Sequence, residues 1–324
     1  MPTPMLTGAG ALPRRMTSGL PVPGWFREDT SAALVALALK PNDVVLASWP
    51  KSGTHWIYRA IRLLTLAPGA AEPPMVLAEM LPATAPAQPL PSAPWNPTGL
   101  DHFSALLERE AASGTGTGTR LIVSHAPPEL LPASLLESGK LVYVSRDPRD
   151  VVTSNYFFMG TPKDGWSGSM DRFTAPALET PNAFGGWFEH VRSFELLARQ
   201  LGSRACVLEY EAMHADLPGC LRKLAALLGP DAEARLAREE TEIARALGFD
   251  AMKQDGAHGT FLRKGASGGW REHFSAEDEA RIAAAVAARL PVADGSVCGL
   301  GTWRDELLAG GSAGLQSSPA AMPQ

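Results

Sequence analysis

The stretch "VVLASWPKSGTHWIYRAIRLL" at residues 44–64 decides the fold, because it holds an apolar run, a tight turn and a helical pattern in succession. We predict a buried strand over 43–49, and a helix from about Thr54 to Leu66. The glycine between them lets the backbone approach a ligand closely, and the first amides of a helix have no partner within it. The stretch therefore predicts an anion-binding turn at the end of a strand.

The rest of the chain alternates strand and helix patterns. Predicted strands cover 120–125, 140–146 and 205–210, and predicted helices cover 31–39, 148–158, 183–201, 220–229 and 276–290. Strands that alternate with helices are typical of a parallel sheet covered on both faces. We therefore expect an α/β fold: a single domain with a central, mostly parallel sheet flanked by helices, and a P-loop-like turn at the first strand.

Composition divides the chain into one domain and two tails. Residues 1–22 and 306–324 are rich in small and polar residues without periodicity, which predicts flexible tails around a domain over 23–305. Residues 68–97 hold nine prolines. We interpret 68–98 as a long loop between the first helix and the second strand, and as a candidate lid over the ligand site at the carboxyl ends of the strands.

Charge and cysteine content exclude several classes of protein. The net charge of −5 argues against a nucleic-acid partner. No apolar run reaches the roughly 20 residues that span a bilayer, so we expect no membrane partner. Cys206, Cys220 and Cys298 are widely spaced and odd in number, which favours buried thiols in a reducing compartment. We expect a cytoplasmic protein.

The turn "PKSGTH" has the donors that a phosphate group requires. Gly53 gives backbone access, Lys51 supplies a charge, and Ser52 and Thr54 supply hydroxyl groups. The motif is not a Walker A sequence, GxxxxGK[ST], because its lysine precedes the glycine. Taken alone, it fits a solvated strand–helix turn as well.

Two further segments add cations to this turn. "YVSRDPRDVVTSNYF" at 143–157 places Arg146 directly after a strand, with Ser154 eight residues later. "FLRKGASGGWREHF" at 261–274 joins Arg263 and Lys264 to a glycine-rich run. Arginine suits bidentate phosphate contacts, so both segments are candidate phosphate sites, although the second also fits a basic surface loop.

Five segments, in this order, carry a resemblance to a known family: "PKSGTHW", "SRDPRDVVTSNYFF", "FGGWFEHV", "LEYEAM" and "FLRKGASGGW". The chain resembles the PAPS-dependent cytosolic-type sulfotransferases over about residues 22–290. The resemblance implies 3′-phosphoadenosine 5′-phosphosulfate (PAPS) as the donor co-substrate and no metal. It assigns Lys51, Ser52, Gly53, Thr54 and His55 to the 5′-phosphosulfate, Arg146, Ser154, Arg263, Lys264 and Gly265 to the 3′-phosphate, and Trp56, Tyr210 and Phe249 to the adenine region.

The resemblance also implies three catalytic residues. His125, in "LIVSHAPPELLP", matches the family's general base, and the end of a buried strand is a suitable position for one. Lys51 would stabilise charge on the leaving oxygen, and Ser154 would hold Lys51 away from the sulfate until the acceptor arrives. His102 and His273 are the next candidates for the base. We interpret His190 as lying in a polar position of a helix, and His214 and His258 as surface loop residues.

The sequence departs from the family pattern in places. His55 stands where a threonine is usual, Gly269 where an aspartate is usual, Leu247 at a threonine position near the adenine, and Val123 at a frequent lysine position. The usual dimerisation motif is also missing, which leaves the oligomeric state open.

Two other functions stay open on the residues alone. A nucleotide-dependent kinase or NTPase would need magnesium and an acidic ligand, for which Asp147 is the candidate. A nucleotide-binding protein without transfer activity would not need His125. For a sulfotransferase we expect a small-molecule acceptor with a hydroxyl or amine group. Phe157, Phe158, Met159 and Trp166 favour an apolar or aromatic one, although core packing explains these four residues equally well.

Overall fold

The computed structural model describes residues 14–15, 21–22, 28–67, 69–70, 72, 75, 77–78, 118–159, 186–254, 262–290, 303–304 and 307. Most of the predicted tails and of the proline-rich loop lies outside these residues, as do His102, His258, Cys298 and Trp166. The domain boundaries therefore stay predictions.

The centre of the fold is a four-stranded parallel sheet. A short antiparallel pair, β1 (Arg14–Arg15) and β2 (Pro21–Val22), precedes it. The sheet consists of β3 (Val44–Ser48), β4 (Leu121–Ser124), β5 (Lys140–Ser145) and β6 (Ala205–Glu209), in the order β4-β3-β5-β6. The prediction of a parallel sheet is confirmed, and each predicted strand ends within one residue of its expected position.

Helices cover both faces of this sheet. They are α1 (Glu28–Val35), α2 (Thr54–Thr65), α3 (Pro148–Met159), α4 (Trp187–Leu201), α5 (Tyr210–Ala215), α6 (Leu217–Leu228), α7 (Pro230–Ala246), α8 (Phe249–Gln254) and α9 (Ala276–Arg289). Among the described residues, four short 3₁₀ helices lie between them, at Pro128–Leu130, Ala133–Leu136, Gly202–Arg204 and Gly269–Glu272.

The sheet divides the hydrophobic core into two layers. Alternate residues of β3 point to opposite faces, so Val45 and Ala47 join one cluster and Val44 and Leu46 the other. Helices α1, α4 and α9 pack on the first face, and α2, α6 and α7 pack on the second. Because both faces are covered, every residue of β3 is buried, as expected for a strand in the middle of a parallel sheet.

The strand order brings three loops to one edge of the sheet. β4 pairs with one edge of β3, and β5 pairs with the other edge. The strand order therefore reverses at β3, which makes this position a topological switch point. Ligands of open α/β sheets bind at such a switch point, outside the carboxyl ends of the strands. The residues that follow β3, β4 and β5 therefore share one crevice.

Several helical regions differ from the prediction, and one of them is α5, where the sequence predicted only the end of a strand. Helix α1 ends at Val35 rather than near Leu39, because Ser134 ties down the chain that follows: its hydroxyl donates to the carbonyl of Leu37 and accepts from the amide of Leu39. Helices α7 and α8 were not predicted. Helix α7 buries one leucine, Leu236, and one isoleucine, Ile243. So few large apolar positions give only a weak helical periodicity in the sequence.

The described residues also bear on the expectations about the cysteines and about membrane-spanning segments. Cys206 and Cys220 are buried free thiols, as predicted, and burial raises the pKa of Cys206 to about 12. Within the described part of the chain, no helix has the length and apolar character that crossing a membrane requires.

Candidate active site

The turn after β3 has an unusual backbone. Lys51 has φ 70° and Gly53 has φ 102°, both in the left-handed region, which is uncommon for a residue with a side chain such as lysine. A Cβ atom at Gly53 would lie 2.6 Å from the ring of Tyr210, so only glycine fits between this ring and the start of α2. The sequence prediction of a glycine-dependent turn is consistent with this close approach.

Polar side chains around the turn have capacity for a ligand. A hydrogen bond of 2.7 Å joins the hydroxyl groups of Thr54 and Ser48. It fixes the first residue of α2 against β3. The Ser52 hydroxyl is buried and has no hydrogen-bond partner among the described residues. Gly53 holds the cap position of α2 and has no side chain to bond the first amides. Buried donors without partners at a helix start are suited to an anion.

Arg146 connects the two predicted phosphate loops. Its guanidinium donates to the carbonyl of Lys51 at 3.0 Å and to the carbonyl of Ala266 at 3.2 Å, and it lies 4.1 Å from the ring centre of Tyr210. Its Nε atom is buried without a partner among the described residues. This one side chain therefore fixes the strained turn and still keeps a donor for a ligand.

Asp150 holds the glycine-rich loop at 262–272. Its carboxylate accepts hydrogen bonds from the backbone amides of Gly268 at 2.6 Å and Trp270 at 3.1 Å, and it lies 3.9 Å from the Arg146 guanidinium. Arg149 stacks on the Trp270 ring at 3.8 Å, which packs the same loop against α3. The sequence interpretation did not include Asp150, although an acidic residue in the first turn of α3, four residues after Arg146, was a usable signal.

Asp147, the candidate metal ligand of a kinase, is engaged elsewhere. Both of its carboxylate oxygens accept hydrogen bonds from the Arg149 side chain, at distances from 2.7 to 3.1 Å, and the pair is buried. A carboxylate that neutralises a neighbouring arginine has little capacity left for a magnesium ion. The rival interpretation therefore loses the acidic ligand on which it depended.

The Lys51 ammonium lies among aromatic rings and other cations. Its Nζ atom is 4.1 Å from the ring centre of Phe158, and Arg263 stacks on the ring of Phe157 at 4.4 Å. Burial, followed by repulsion from Arg146 and Arg263, lowers the pKa of Lys51 to about 8. Lys51, Arg146 and Arg263 place three cations around this pocket, and Asp150 is the carboxylate that pairs with Arg146, so the pocket stays electropositive although the net charge of the chain is negative.

His125 lies directly after β4, at the same edge of the sheet. Its Nδ1 atom is 2.7 Å from the carbonyl oxygen of Ser48, the last residue of β3. Because a carbonyl only accepts, Nδ1 carries the proton, and Nε2 is the basic nitrogen of the neutral ring. Burial lowers the pKa of His125 to about 4, with a smaller contribution from the Lys51 charge, so the ring is neutral at pH 7.

The other described histidines differ in part from the sequence interpretation. His190 is not in a polar position: it is fully buried in the core between β5 and the start of the His125 loop. His214 is exposed, as predicted, but it lies on α5 rather than in a loop, with its ring 4.8 Å from both Trp56 and Tyr210. The polar neighbours of His190 along the helix predicted an exposed position, but its burial depends on packing against the sheet, which the local pattern does not show. His273 lies 5.0 Å from the Phe157 ring.

The predicted adenine residues also come together. Trp56 donates from its indole nitrogen to the Leu247 carbonyl at 3.0 Å and lies edge-on to Tyr210 at 5.4 Å. Phe249 packs on Gly265, where a Cβ atom would lie 1.9 Å from its ring, and Gly265 has φ 60°. Aromatic side chains and a bare glycine backbone are suited to a flat heterocycle.

Three predicted site residues have less distinctive surroundings. Ser154 is half-buried on α3, and no hydrogen bond of the described residues joins its hydroxyl to Lys51. Lys264 is exposed and pairs with Glu272 at 2.6 Å. His55 lies half-buried in the first turn of α2. Their predicted roles are not tested by this geometry.

The whole arrangement combines two candidate anion sites with a histidine base beside the first of them. The turn and the glycine-rich loop provide two anion sites joined by Arg146, and aromatic side chains line the region between them. His125 and Lys51 lie next to the first anion site. Such a site can hold a nucleotide with two phosphate groups and can remove a proton from a group that attacks near Lys51.

Comparisons with known proteins agree with this geometry. The sulfotransferase domain family matches residues 41–291. Sulfotransferase 2A2 of Mus musculus is 30% identical over 278 residues, which cover 79% of this chain and 88% of that protein. Sulfotransferase 2A6 of Rattus norvegicus is 29% identical over 275 residues, with the same shares covered.

Solved structures share the fold. A crystal structure of a mouse sulfotransferase complexed with PAP has a TM-score of 0.65 and 23% identity, and the match covers 88% of this chain and 96% of that one. Retinol dehydratase in a complex with retinol and PAP has a TM-score of 0.60 and 22% identity, with coverage of 86% and 89%. At this level of identity, the match supports the α/β architecture.

Proposed function

The chain belongs to the sulfotransferase family, and we propose that it moves a sulfuryl group from PAPS to a hydroxyl or amine group of a small apolar or aromatic acceptor. The products are a sulfate ester or sulfamate and adenosine 3′,5′-bisphosphate (PAP). The bond between sulfur and the bridging phosphate oxygen breaks, a bond between sulfur and the acceptor atom forms, and the acceptor proton passes to His125.

The residues of the site fit this donor. The buried, unpartnered hydroxyl of Ser52 and the first amides of α2 would hold the 5′-phosphosulfate. The unpartnered Nε atom of Arg146 and the neighbouring Arg263 would hold the 3′-phosphate. Trp56, Tyr210 and Phe249 would pack around the adenine. When bound, the donor supplies an activated sulfuryl group, so the protein's part is to orient the reactants and manage charge and protons.

The observation that carries the proposal is the ring of His125. Its hydrogen bond to the Ser48 carbonyl selects the tautomer in which Nε2 can accept a proton. The lowered pKa keeps the ring neutral, and therefore able to act as a base, throughout the neutral pH range. A protein that only bound a nucleotide would not need this arrangement at the edge of the anion site.

Lys51 complements the base. In the family's reaction, negative charge develops on the phosphate oxygen that leaves the sulfur. A cation fixed beside that oxygen stabilises the charge more strongly in a dry site than in water. The turn that holds Lys51 is itself held by Arg146. Ser154 lies on α3, and we propose that it holds Lys51 away from the sulfate before the acceptor arrives.

The aromatic residues near Lys51 point to an apolar acceptor. Phe157 and Phe158 are adjacent, are 37% and 39% exposed, and together present apolar rings beside Arg263 and Lys51. Retinol dehydratase of similar fold holds retinol in one structure and androsterone in another, and both are apolar alcohols. We extend the proposal to a cytoplasmic enzyme, as the buried free thiols favour a reducing compartment.

A transfer assay with sulfur-labelled PAPS tests the proposal. Alkyl alcohols, phenols and aryl amines of increasing apolar area are offered in turn, with magnesium and with excess chelator. We expect labelled sulfate on apolar alcohols or phenols, with equal rates with and without magnesium. Phosphate transfer from ATP that requires magnesium would support a kinase instead, and nucleotide binding without transfer to any acceptor would support a simple binding protein.

A further inference from the structure

We propose that His190, oriented by Tyr143, is a positioning residue that fixes the catalytic base by bonding to the backbone carbonyl of His125. This inference rests on the proposed role of His125. The side chains of Tyr143 and His190 and the carbonyl of His125 form a hydrogen-bonded chain that connects the middle of the sheet to the reaction site. His190 does not contact the reactants, so it acts through His125.

The hydrogen bonds of this chain allow a single arrangement of protons. The Nε2 atom of His190 lies 3.2 Å from the carbonyl oxygen of His125, and its Nδ1 atom lies 3.1 Å from the Tyr143 hydroxyl. The carbonyl can only accept, so Nε2 of His190 donates. Its Nδ1 must then accept, so the hydroxyl of Tyr143 donates. The His125 carbonyl therefore fixes the tautomer of His190, and Tyr143 stabilises that tautomer by donating to its Nδ1 atom.

Packing holds both members of the chain in place. Tyr143 and His190 have no exposed surface. Phe194 stacks on Tyr143 with ring centres 4.4 Å apart, and Trp49 meets the His190 ring edge-on at 5.3 Å. Rotamers enclosed in this way have little freedom to turn, so the donor stays aimed at the carbonyl. Burial lowers the pKa of His190 to about 3, and the neutral ring is therefore maintained.

The carbonyl of His125 is a sensitive point in the backbone. Ser124 is the last residue of β4, and the Ala126 amide already turns back to the Ser124 hydroxyl at 3.0 Å. The His125 peptide therefore lies beyond the sheet ladder, where His190 supplies a donor for its carbonyl. The Ser48 carbonyl holds the ring of His125 at the other end, at 2.7 Å. The base is thus fixed at its backbone and at its ring.

A pair of amide substitutions separates positioning from simple core stability. The side-chain nitrogen of glutamine can take the place of Nε2, whereas the shorter asparagine reaches only the place of Nδ1. Both changes bury an amide, so they have similar costs for folding. His190→Gln keeps a donor toward His125 and His190→Asn does not. Tyr143→Phe removes the hydroxyl that donates to Nδ1 and helps to orient the ring.

We measure kcat and KM with an alkyl alcohol and with an acidic phenol, PAP affinity by calorimetry, and the melting temperature of each variant. His190→Asn should lower kcat on the alcohol by about 10- to 100-fold, the range for a misplaced catalytic group. His190→Gln should stay within about threefold of the parent, and Tyr143→Phe should fall between the two. PAP affinity should be unchanged, and the loss for His190→Asn should be smaller with the phenol, which needs the base less.

Several results would overturn the inference. Equal kcat values for the glutamine and asparagine variants would show that the donor to His125 has no effect. A parallel loss of PAP affinity, or failure of all three variants to fold, would make the chain a structural hydrogen-bond network of the core. A folded His125→Ala protein with full turnover would instead refute the proposed base, and this control separates the two failures.

Discussion

Asp150 Oδ2 lies 2.6 Å from the backbone nitrogen of Gly268, so helix α3 and the glycine-rich loop are joined by a hydrogen bond to a buried carboxylate. The other carboxylate oxygen accepts from the Trp270 amide at 3.1 Å. Hydrogen bonds to a charged acceptor are stronger than neutral ones, and two of them restrict the loop at adjacent peptides. Asp150 therefore links Arg146, two residues before α3, to the loop that carries Arg263.

Replacing Asp150 by asparagine should weaken binding of nucleotides that have a 3′-phosphate. The amide group can accept from one backbone amide but presents a donor to the other, and losing a charged hydrogen bond costs about 1.5–3 kcal/mol. We expect PAP affinity to fall roughly tenfold or more, while the affinity for AMP changes little. Calorimetry with both nucleotides tests this, with Asp231→Asn at the exposed start of α7 as control. An equal loss for AMP would contradict the link to the 3′-phosphate.

Nucleotide binding should take up a proton near pH 8. Burial and the nearby arginines lower the pKa of Lys51 to about 8, so part of the free protein has a neutral lysine at that pH. A bound phosphate anion favours the charged form and raises the pKa again, so PAP affinity should fall as the pH rises above about 8. Calorimetry at pH 8 in buffers of different ionisation enthalpy measures the uptake.

Lys51→Arg is the matched control for this experiment, because arginine stays charged across the range and should show no uptake. Lys51→Ala should bind PAP without uptake and lose about 2–4 kcal/mol of transition-state stabilisation in turnover. Proton uptake that persists in the alanine variant would assign the effect to another group.

The sequence predicted the strands and the turn because both depend on local features. The apolar run of β3, the glycine and the amphipathic pattern of α2 are all short-range, and they give the bounds to within one residue. Tyr210 could not be placed against Gly53 in this way, since the two residues are far apart in the chain. The family resemblance named both residues, and the structure supplies the contact that makes the glycine necessary.

The environment of His190 was missed for a related reason. Exposed Glu189 and Arg192 flank it along α4, and the local pattern therefore indicated a polar face. The ring is buried because Tyr143 of β5 offers it a hydroxyl partner across the helix–sheet interface. A buried polar group is stable when its partners are present, but those partners come from another part of the chain. The same holds for Asp150 and the amides of its loop.

Acid should destabilise the folded protein through two histidines. The folded pKa values of His125 and His190 are about 4 and about 3, whereas an unfolded histidine titrates near 6.5. Between these values the unfolded chain binds more protons, so stability is fully present above about pH 6.5 and is lost as the pH falls. Urea unfolding between pH 7 and 4.5 should show this slope, and His190→Gln should reduce it. An unchanged slope in that variant would mean that His190 is not buried and neutral.

His125→Ala should abolish transfer and leave donor binding intact. General base catalysis is typically worth about 10²–10⁴-fold, so turnover on an alkyl alcohol should fall by that factor. The phosphate contacts come from the turn after β3, from Arg146 and from the glycine-rich loop, so PAP affinity should stay within about twofold of the parent. A phenol ionises near pKa 10 and needs the base less, so the loss should shrink as acceptor acidity rises. Nucleotide affinity and turnover are measured on the same sample. If the folded variant keeps turnover on an alcohol, another residue removes the proton, and His273, 5.0 Å from Phe157, is then the described residue to replace first.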